Sequence, residues 1–409
     1  MHPICSIFTG SLIAAAAPGG PTVAVLESGQ GWSAAVSNTG VVAGSSTASV
    51  EYFIWTPDGG HQIIGGVSAG NGAGGQAGIS ADGTIVSATM ADPGTGLYTA
   101  ARYSIATDTW TPLGGLNGSC DNSISSGWGM SGDGTTLVGL GWDGCSAYAT
   151  YWIGDAAGVS LGTTSSGNST RANGTNHDGS VIVGWQDGNG RQGAVWVDGD
   201  QELITQPNGQ AASEAYGVSS NGEWVSGMGV GPIWGVGDTW RYNTVTNVSE
   251  TVPNLTTGGG RYMAGTGISG DGSMIVGGTW PFGVPAYFGN AFVWREGKGT
   301  QQLPVYFDEI GVSYPAGFTF SFVSGISDDG RWLTGWGSSG SPGNTVTWVV
   351  ELPGDTVECP ADINGDGLVD VVDMLALLAA WGTDGADING DGTTDIVDLL
   401  VLIAAWGDC

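Results

Sequence analysis

Gly267-Ile268-Ser269-Gly270-Asp271-Gly272, followed by Ser273-Met274-Ile275-Val276-Gly277 and then by Ala291-Phe292-Val293-Trp294, is the stretch on which the fold turns. Asp-Gly between two β-branched runs is a strong hairpin signal, because the turn needs a positive φ that glycine adopts without a steric cost. The same string recurs at 78–83 (GISADG), 129–134 (GMSGDG), 174–179 (GTNHDG), 217–222 (GVSSNG) and 325–330 (GISDDG), and more loosely at 35–40 (AVSNTG), making seven copies. Each is followed by a β-branched segment and then by an aromatic strand. Those strands carry Trp55, Tyr103, Trp152, Trp196, Trp240, Trp294 and Trp348, spaced 48, 49, 44, 44, 54 and 54 residues apart.

One unit therefore reads as four strands: the segment entering the turn, the segment leaving it, the aromatic strand, and a terminal segment such as Leu113-Gly114 or Gln302-Leu303-Pro304. Four strands at this period match a propeller blade, and seven copies predict an all-β, seven-bladed β-propeller over 21–352. Pro21–Leu26 (PTVAVL) is expected to pair with Thr347–Leu352 (TWVVEL) and close the ring. A β-solenoid is the rival architecture, although its rungs are usually shorter.

Composition narrows the function. The chain has 409 residues, 77 of them Gly, with 38 Asp+Glu against 8 Lys+Arg and a formal charge of -30. Lys298 is the single lysine, so there is no basic stripe for a phosphate backbone and no attraction to an anionic membrane. The 41 % hydrophobic content and 18 Trp suffice for a packed core. Residues 4–17 (ICSIFTGSLIAAAA) end in an Ala run with an A-x-A site, which predicts a signal peptide over 1–20 and a secreted or cell-surface protein, although the segment before the apolar run carries only His2. No run reaches the roughly 18 apolar residues of a membrane span. Without Cys5, four cysteines remain and allow three pairings. Proximity favours Cys120 with Cys145 and Cys359 with Cys409, free thiols being the alternative.

The Gly-Ile-Ser-x-Asp-Gly turn, the Val-x-Gly segment and the strand Ala291-Phe292-Val293-Trp294, with Gly193-Ala194-Val195-Trp196 beside it, resemble the HAF-type extracellular repeat of exported bacterial proteins. The resemblance implies a secreted, propeller-like body over roughly 21–352 and no general activity. The histidine of that repeat is absent from every copy here.

After a linker at 353–358 the chemistry changes. Residues 362–373 read DINGDGLVDVVD and 387–398 read DINGDGTTDIVD. Calcium takes six to eight oxygens, and loops with side-chain oxygens at positions 1, 3, 5, 9 and 12, a carbonyl at 7 and Gly at 6 supply them. The first loop offers Asp362, Asn364, Asp366, Asp370 and Asp373 with the Leu368 carbonyl, and the second Asp387, Asn389, Asp391, Asp395 and Asp398 with the Thr393 carbonyl. Two Ca²⁺ ions are expected. Position 12 is Asp, and 13 residues separate the loops, enough for one exit helix over Met374–Trp381. Ten carboxylates and no Lys or Arg occupy 359–409, so metal binding and folding should be coupled, with Leu375, Leu378 and Trp381 expected to pack against Leu400, Ile403 and Trp406.

This segment resembles a type I dockerin over 359–409. The resemblance implies docking onto a cohesin domain, with Val371-Val372 and Ile396-Val397 as the recognition pairs.

Catalytic signals are thin. His61 and His177 are the histidines left after the leader, His177 within a repeat turn, and no carboxylate pair for glycoside cleavage can be separated from the turn aspartates. The regularly spaced tryptophans read as core. The non-repeat insertions, with Trp142, Trp234 and 280–290 (WPFGVPAYFGN), are the better ligand candidates. Three readings stay open: a non-catalytic propeller tethered by its dockerin and binding a polysaccharide or a surface protein; a dockerin-bearing hydrolase of glycosidic bonds, or a lyase, with its site in the propeller; and a stand-alone calcium-stabilised surface protein.

Overall fold

The computed structural model describes residues 20–26, 34–46, 49–67, 74–165, 167–188, 190–229, 237–255, 260–340, 345–353, 361, 363 and 368–408. The leader except Gly20, Trp234, Cys359, Cys409 and the linker beyond Pro353 lie outside these residues. The chain forms two compact units, Met1–Leu352 and Pro353–Cys409, each taken by itself below.

In the first unit every Asp-Gly-type turn closes a hairpin, and the hairpins assemble into seven four-stranded antiparallel sheets. Blade 1 spans 35–65, blade 2 78–114, blade 3 125–160, blade 4 170–203, blade 5 215–252, blade 6 261–302 and blade 7 318–351. The first strand of each blade touches the first strands of both neighbours, so seven inner strands close a ring. Blade 7 takes its outermost strand from the beginning of the chain: Ala24 and Val25 pair with Val349 and Trp348. The first unit is an all-β, seven-bladed propeller, closed as PTVAVL and TWVVEL predict.

The repeat string is a hydrogen-bonding device. Ser269 Oγ donates to Asp271 Oδ1 at 2.6 Å, Asp271 Oδ1 accepts the Ser273 N–H at 2.9 Å, and Ser269 Oγ accepts the Met274 N–H at 2.9 Å. The same bonds recur at Ser80/Asp82, Ser131/Asp133, Ser219/Asn221 and Ser327/Asp329, and Asn176 replaces the serine before Asp178. The closing glycine has φ between 71° and 79° in all seven turns, where a side chain would be strained.

The Val-x-Gly glycine has a different cause. In five blades the first strand carries a register shift just before the repeat string, for instance between Gly265 and Gly267. The shifted backbone rides over the second strand, and a Cβ on Gly277 would lie 1.8 Å from the Ala264 carbonyl oxygen.

Third-strand aromatics fill the space between blades, with Trp152, Trp196, Trp240 and Trp348 fully buried, while Trp55 is half-buried. The terminal segment of blade 6 departs from expectation. Its strand ends at Gln302, and Leu303 and Pro304 open the helix α1 (Leu303–Glu309), proline being well suited to a first helical turn.

The second unit holds two nine-residue helices, α2 (Val371–Ala379) and α3 (Ile396–Ala404), and a short ladder in which Leu368 and Val369 pair with Asp408 and Gly407. Both helices start three residues earlier in their repeats than an exit helix at Met374 would, because Asp370 and Asp395 cap them. Each cap is reciprocal: the Asp370 and Asp395 side chains accept from Val372 N and Val397 N, and Asp373 and Asp398 accept back from the capping backbone.

The expected packing of this unit is corrected. Leu375, Leu378, Trp381, Leu400, Ile403 and Trp406 are exposed, and the core is made by Ala361, Val369, Leu377, Ala386 and Leu402. Asp373 and Asp398 set the face: each is fully buried, so the residue four positions on, Leu377 or Leu402, points inward with it and the other apolar residues turn out.

Candidate functional site

The seven inner strands enclose a central cavity of about 390 Å³. Its two ends differ in chemistry, because one is built from repeat turns and the other from the connections that break the repeat.

At the turn end lie the fourth residues of the strings, Asn38, Ala81, Gly132, His177, Ser220, Gly270 and Asp328, of which Ala81, Gly132 and Asp328 line the cavity. Backbone bonds link blade to blade here, among them Asn38 N to Ala81 O, Ala81 N to Gly132 O, His177 N to Ser220 O and Ser220 N to Gly270 O. Asp328 of blade 7 reaches across: its Oδ2 lies 2.5 Å from His177 Nδ1 and its Oδ1 accepts from Ser220 Oγ. Gly132 and Gly270 leave the room for this. A Cβ on Gly132 would sit 2.3 Å from His177 Nδ1, and one on Gly270 2.3 Å from the Asp328 carbonyl oxygen.

The cluster contains serine, histidine and aspartate but is not a nucleophilic triad. The hydroxyl bonds the carboxylate rather than the imidazole, so the serine–histidine–aspartate order of a triad is not met. It ties blades 4, 5 and 7 together and narrows one mouth of the cavity. His177 was legible only as a turn residue; lining up the fourth position of the seven strings would have brought His177, Ser220 and Asp328 together.

At the opposite end the cavity is walled by Trp128, Asn173, Tyr216, Met228, Trp280 and Phe322. Behind Asn173 and Tyr216 lies an ion cluster. Arg171 and Arg191 both pair with Glu214, at 3.1 Å and 2.5 Å, and Arg191 also with Asp187 at 3.1 Å. The Arg171 guanidinium stacks 3.6 Å from the centre of the Trp128 ring, and that of Arg191 3.7 Å from Trp185. The side chains of Arg171 and Glu214 are 15 % and 10 % exposed, so each charge depends on the other. Burial lowers the Arg171 guanidinium from its ordinary value, while burial and the Glu214 carboxylate push the Tyr216 phenol well up, keeping it neutral.

The disulfide Cys120–Cys145 lies at this end, where the turn after Thr136–Asp143 meets the approach to blade 3, with Cα atoms 5.0 Å apart. So does the insertion after Trp280. Tyr262 and Trp280 face each other across the first two strands of blade 6 and stack at 5.3 Å and 27°. Tyr262 also meets Phe282 at 5.5 Å, and Trp280 meets Phe322 of blade 7 at 5.8 Å.

The repeat aspartates are accounted for by folding. The carboxyls of Asp82, Asp133 and Asp271 are held below the usual range, partial burial being outweighed by the serine and backbone donors of their turns. Asp178 is lowered by the Ser180 hydroxyl and amide.

In the second unit Asp362, Asn364 and Asp366 lie outside the described residues, as does the side chain of Leu368. Asp370 and Asp373 occupy the first cap. The second loop is described throughout. Asp387 accepts from the amides of Gly390, Asp391 and Gly392, Asn389 Oδ1 from Asp391 N, Asp391 Oδ1 from Thr393 N, and Asp398 from Ile388, Asn389 and Asp395. Gly390 and Gly392, with φ of 76° and 95°, let the loop wind around these carboxylates. Among the described residues no three His, Cys, Asp or Glu side chains gather as tightly as a bound metal requires. The candidate ligand atoms of the loop are nonetheless all oxygens, and such a set fits a hard cation. Val371, Val372, Ile396 and Val397 are about half exposed, each pair at the start of its helix.

No family model matches the chain, and no curated protein does. Among solved structures it is similar to TolB from Acinetobacter baumannii (16 % identity, 55 % of this chain and 54 % of that one, TM-score 0.40), so it spans about half of that protein. It is also similar to the β-propeller domain of the Trilobed protease from Pyrococcus furiosus (12 %, 79 % and 93 %, 0.45) and to an oligogalacturonate lyase from Vibrio parahaemolyticus (12 %, 81 % and 91 %, 0.49). None of these likenesses extends to chemistry. Among the described residues no helix is long and apolar enough to cross a membrane.

Proposed function

We propose that the chain is an exported, non-catalytic binding protein: a seven-bladed propeller that holds a glycan or protein ligand, tethered by a dockerin tail that loads two Ca²⁺ ions and docks onto a cohesin-bearing surface or complex in polysaccharide utilisation. The observation that carries the tethering is the duplicated apolar face of the tail. Each helix with the two residues after it presents an exposed set, Val371, Val372, Leu375, Leu378 and Trp381 in one repeat and Ile396, Val397, Leu400, Ile403 and Trp406 in the other. Apolar residues left outside so small a core, twice over and in equivalent places, suit a partner surface.

Calcium would be held by Asp362, Asn364, Asp366, Leu368, Asp370 and Asp373 in one loop and by Asp387, Asn389, Asp391, Thr393, Asp395 and Asp398 in the other. The ion supplies charge neutralisation and fixes the loop ahead of the helix it precedes. The Cys120–Cys145 bridge supports an oxidising destination. Consumption of the repeat aspartates in turns supports a binding role over hydrolysis.

The test uses the full chain with purified cohesin domains in calcium and in chelator. Retention on at least one cohesin, lost on chelation, supports the reading. Retention on none, or retention indifferent to calcium, refutes it. Hydrolysis of a polysaccharide, abolished by replacing one carboxylate, would replace it with the enzyme reading.

A further inference from the structure

We propose that blades 6 and 7 carry a binding strip for a neutral glycan, running from Phe282 through Tyr262 and Trp280 to Phe322 in the wall of the central cavity. This rests on the reading of the propeller as a binding body and names its ligand class.

The strip is continuous. Ring centres are 5.5, 5.3 and 5.8 Å apart along Phe282, Tyr262, Trp280 and Phe322, and the first three rings are tilted by only 31° and 27°. Trp280 belongs both to the strip and to the cavity wall, so the strip leads inward. It also stands apart from the rest of the propeller. The regular aromatics are mostly core, and among the described propeller residues the aromatic side chains exposed by more than a third are Phe282 and Phe288, both on the insertion after Trp280. A repeat-breaking segment that keeps aromatic rings in water has no folding reason to do so.

Polar groups flank the rings. Arg261, next to Tyr262, donates through Nε and Nη2 to the side chain and carbonyl of Thr279, whose hydroxyl meets Asn254 Oδ1 at 3.1 Å. The other six arginines each have a carboxylate partner, whereas Arg261 has none among the described residues. Three rings tilted by about 30° from one another, with Phe322 at 53° behind them, beside a multi-donor group suit a ligand with flat C–H faces and many hydroxyls, which is a sugar chain. The net charge of -30 works against a polyanionic one.

The full calcium-loaded chain is run by affinity electrophoresis through gels containing a soluble mixed-linkage glucan, a xylan or a galactomannan, with polygalacturonate as the anionic counterpart. The expected result is retardation by at least one neutral polymer, weakened about five- to tenfold by Phe282→Ala and by Trp280→Ala. Ile153→Ala, an exposed residue of blade 3 at the turn end, should bind as wild type. Phe282 supports no core, so an unchanged melting temperature for Phe282→Ala separates lost binding from lost folding. Retardation unaltered in both variants overturns the strip and leaves the propeller a binding body. Retardation by polygalacturonate alone, or by no polymer, overturns the ligand class, while cohesin retention on the same preparation reports separately on the tail.

Discussion

Replacing Gly277 by alanine sets two effects of opposite sign against each other. Glycine in a strand interior costs roughly 0.5–1 kcal/mol relative to alanine, so local propensity alone predicts that Gly277→Ala stabilises blade 6. The new Cβ, however, would lie 1.8 Å from the Ala264 carbonyl oxygen, and that oxygen belongs to backbone on the shifted first strand. A normal contact needs about 3.5 Å, so the strands would have to part by more than an ångström, at a cost of about 3 kcal/mol. The clash wins by about 2 kcal/mol. Blade 2 supplies the control: its first strand is only Gly78–Ile79, and Ala88 occupies the place of Gly277 with its Cβ accommodated. Ala88→Gly should therefore lose only the roughly 0.5–1 kcal/mol of a glycine in a strand interior. Urea unfolding followed by tryptophan fluorescence reads both variants, and a midpoint lowered at unchanged slope is expected, further for Gly277→Ala than for Ala88→Gly. A Gly277→Ala protein as stable as wild type would refute the bulge-over-glycine explanation of the repeat.

The turn aspartates Asp82, Asp133, Asp178 and Asp271 titrate below their ordinary value of 3.8, so the stability they add is fully present above about pH 4 and is lost as pH falls through their lowered values; melting temperature against pH should hold down to that point and then drop. A drop centred above pH 5 would contradict this. Opening the Cys120–Cys145 loop of 25 residues by Cys145→Ser should cost about 3.5 kcal/mol in chemical unfolding, and equal stability of the two proteins would show that the bridge restrains nothing. Val371→Asp with Val372→Asp, and the equivalent Ile396→Asp with Val397→Asp, place acids at helix starts, where they are tolerated. The four changes together should preserve circular dichroism and abolish cohesin retention, and retention at wild-type strength would remove these residues from the docking surface.

Local chemistry made the propeller legible. The Ser-x-Asp-Gly turn writes its hydrogen bonds into four consecutive residues, and the spacing from Trp55 to Trp348 counts the blades. The cavity was not legible in the same way, since His177, Ser220 and Asp328 meet only because the ring brings blades 4, 5 and 7 together across separations of 43 to 151 residues. Tyr262 opposite Trp280 is likewise a product of register, and Phe322 joins them from the next blade. The tail shows a different failure. Its helices follow from sequence, but leucine content points to the wrong apolar face, because the buried capping carboxylates Asp373 and Asp398 decide which side of each helix turns in.

Calcium titration calorimetry on the full, chelator-stripped chain, with far-ultraviolet circular dichroism on the same samples, addresses the tail most directly. Two ions per chain, a gain in helical signal on loading, and a fall to one ion in Asp387→Ala are the expected results. No uptake at millimolar calcium, or uptake without any gain in helix, would mean that the paired acidic loops near the carboxyl end do not build a metal-shaped docking surface.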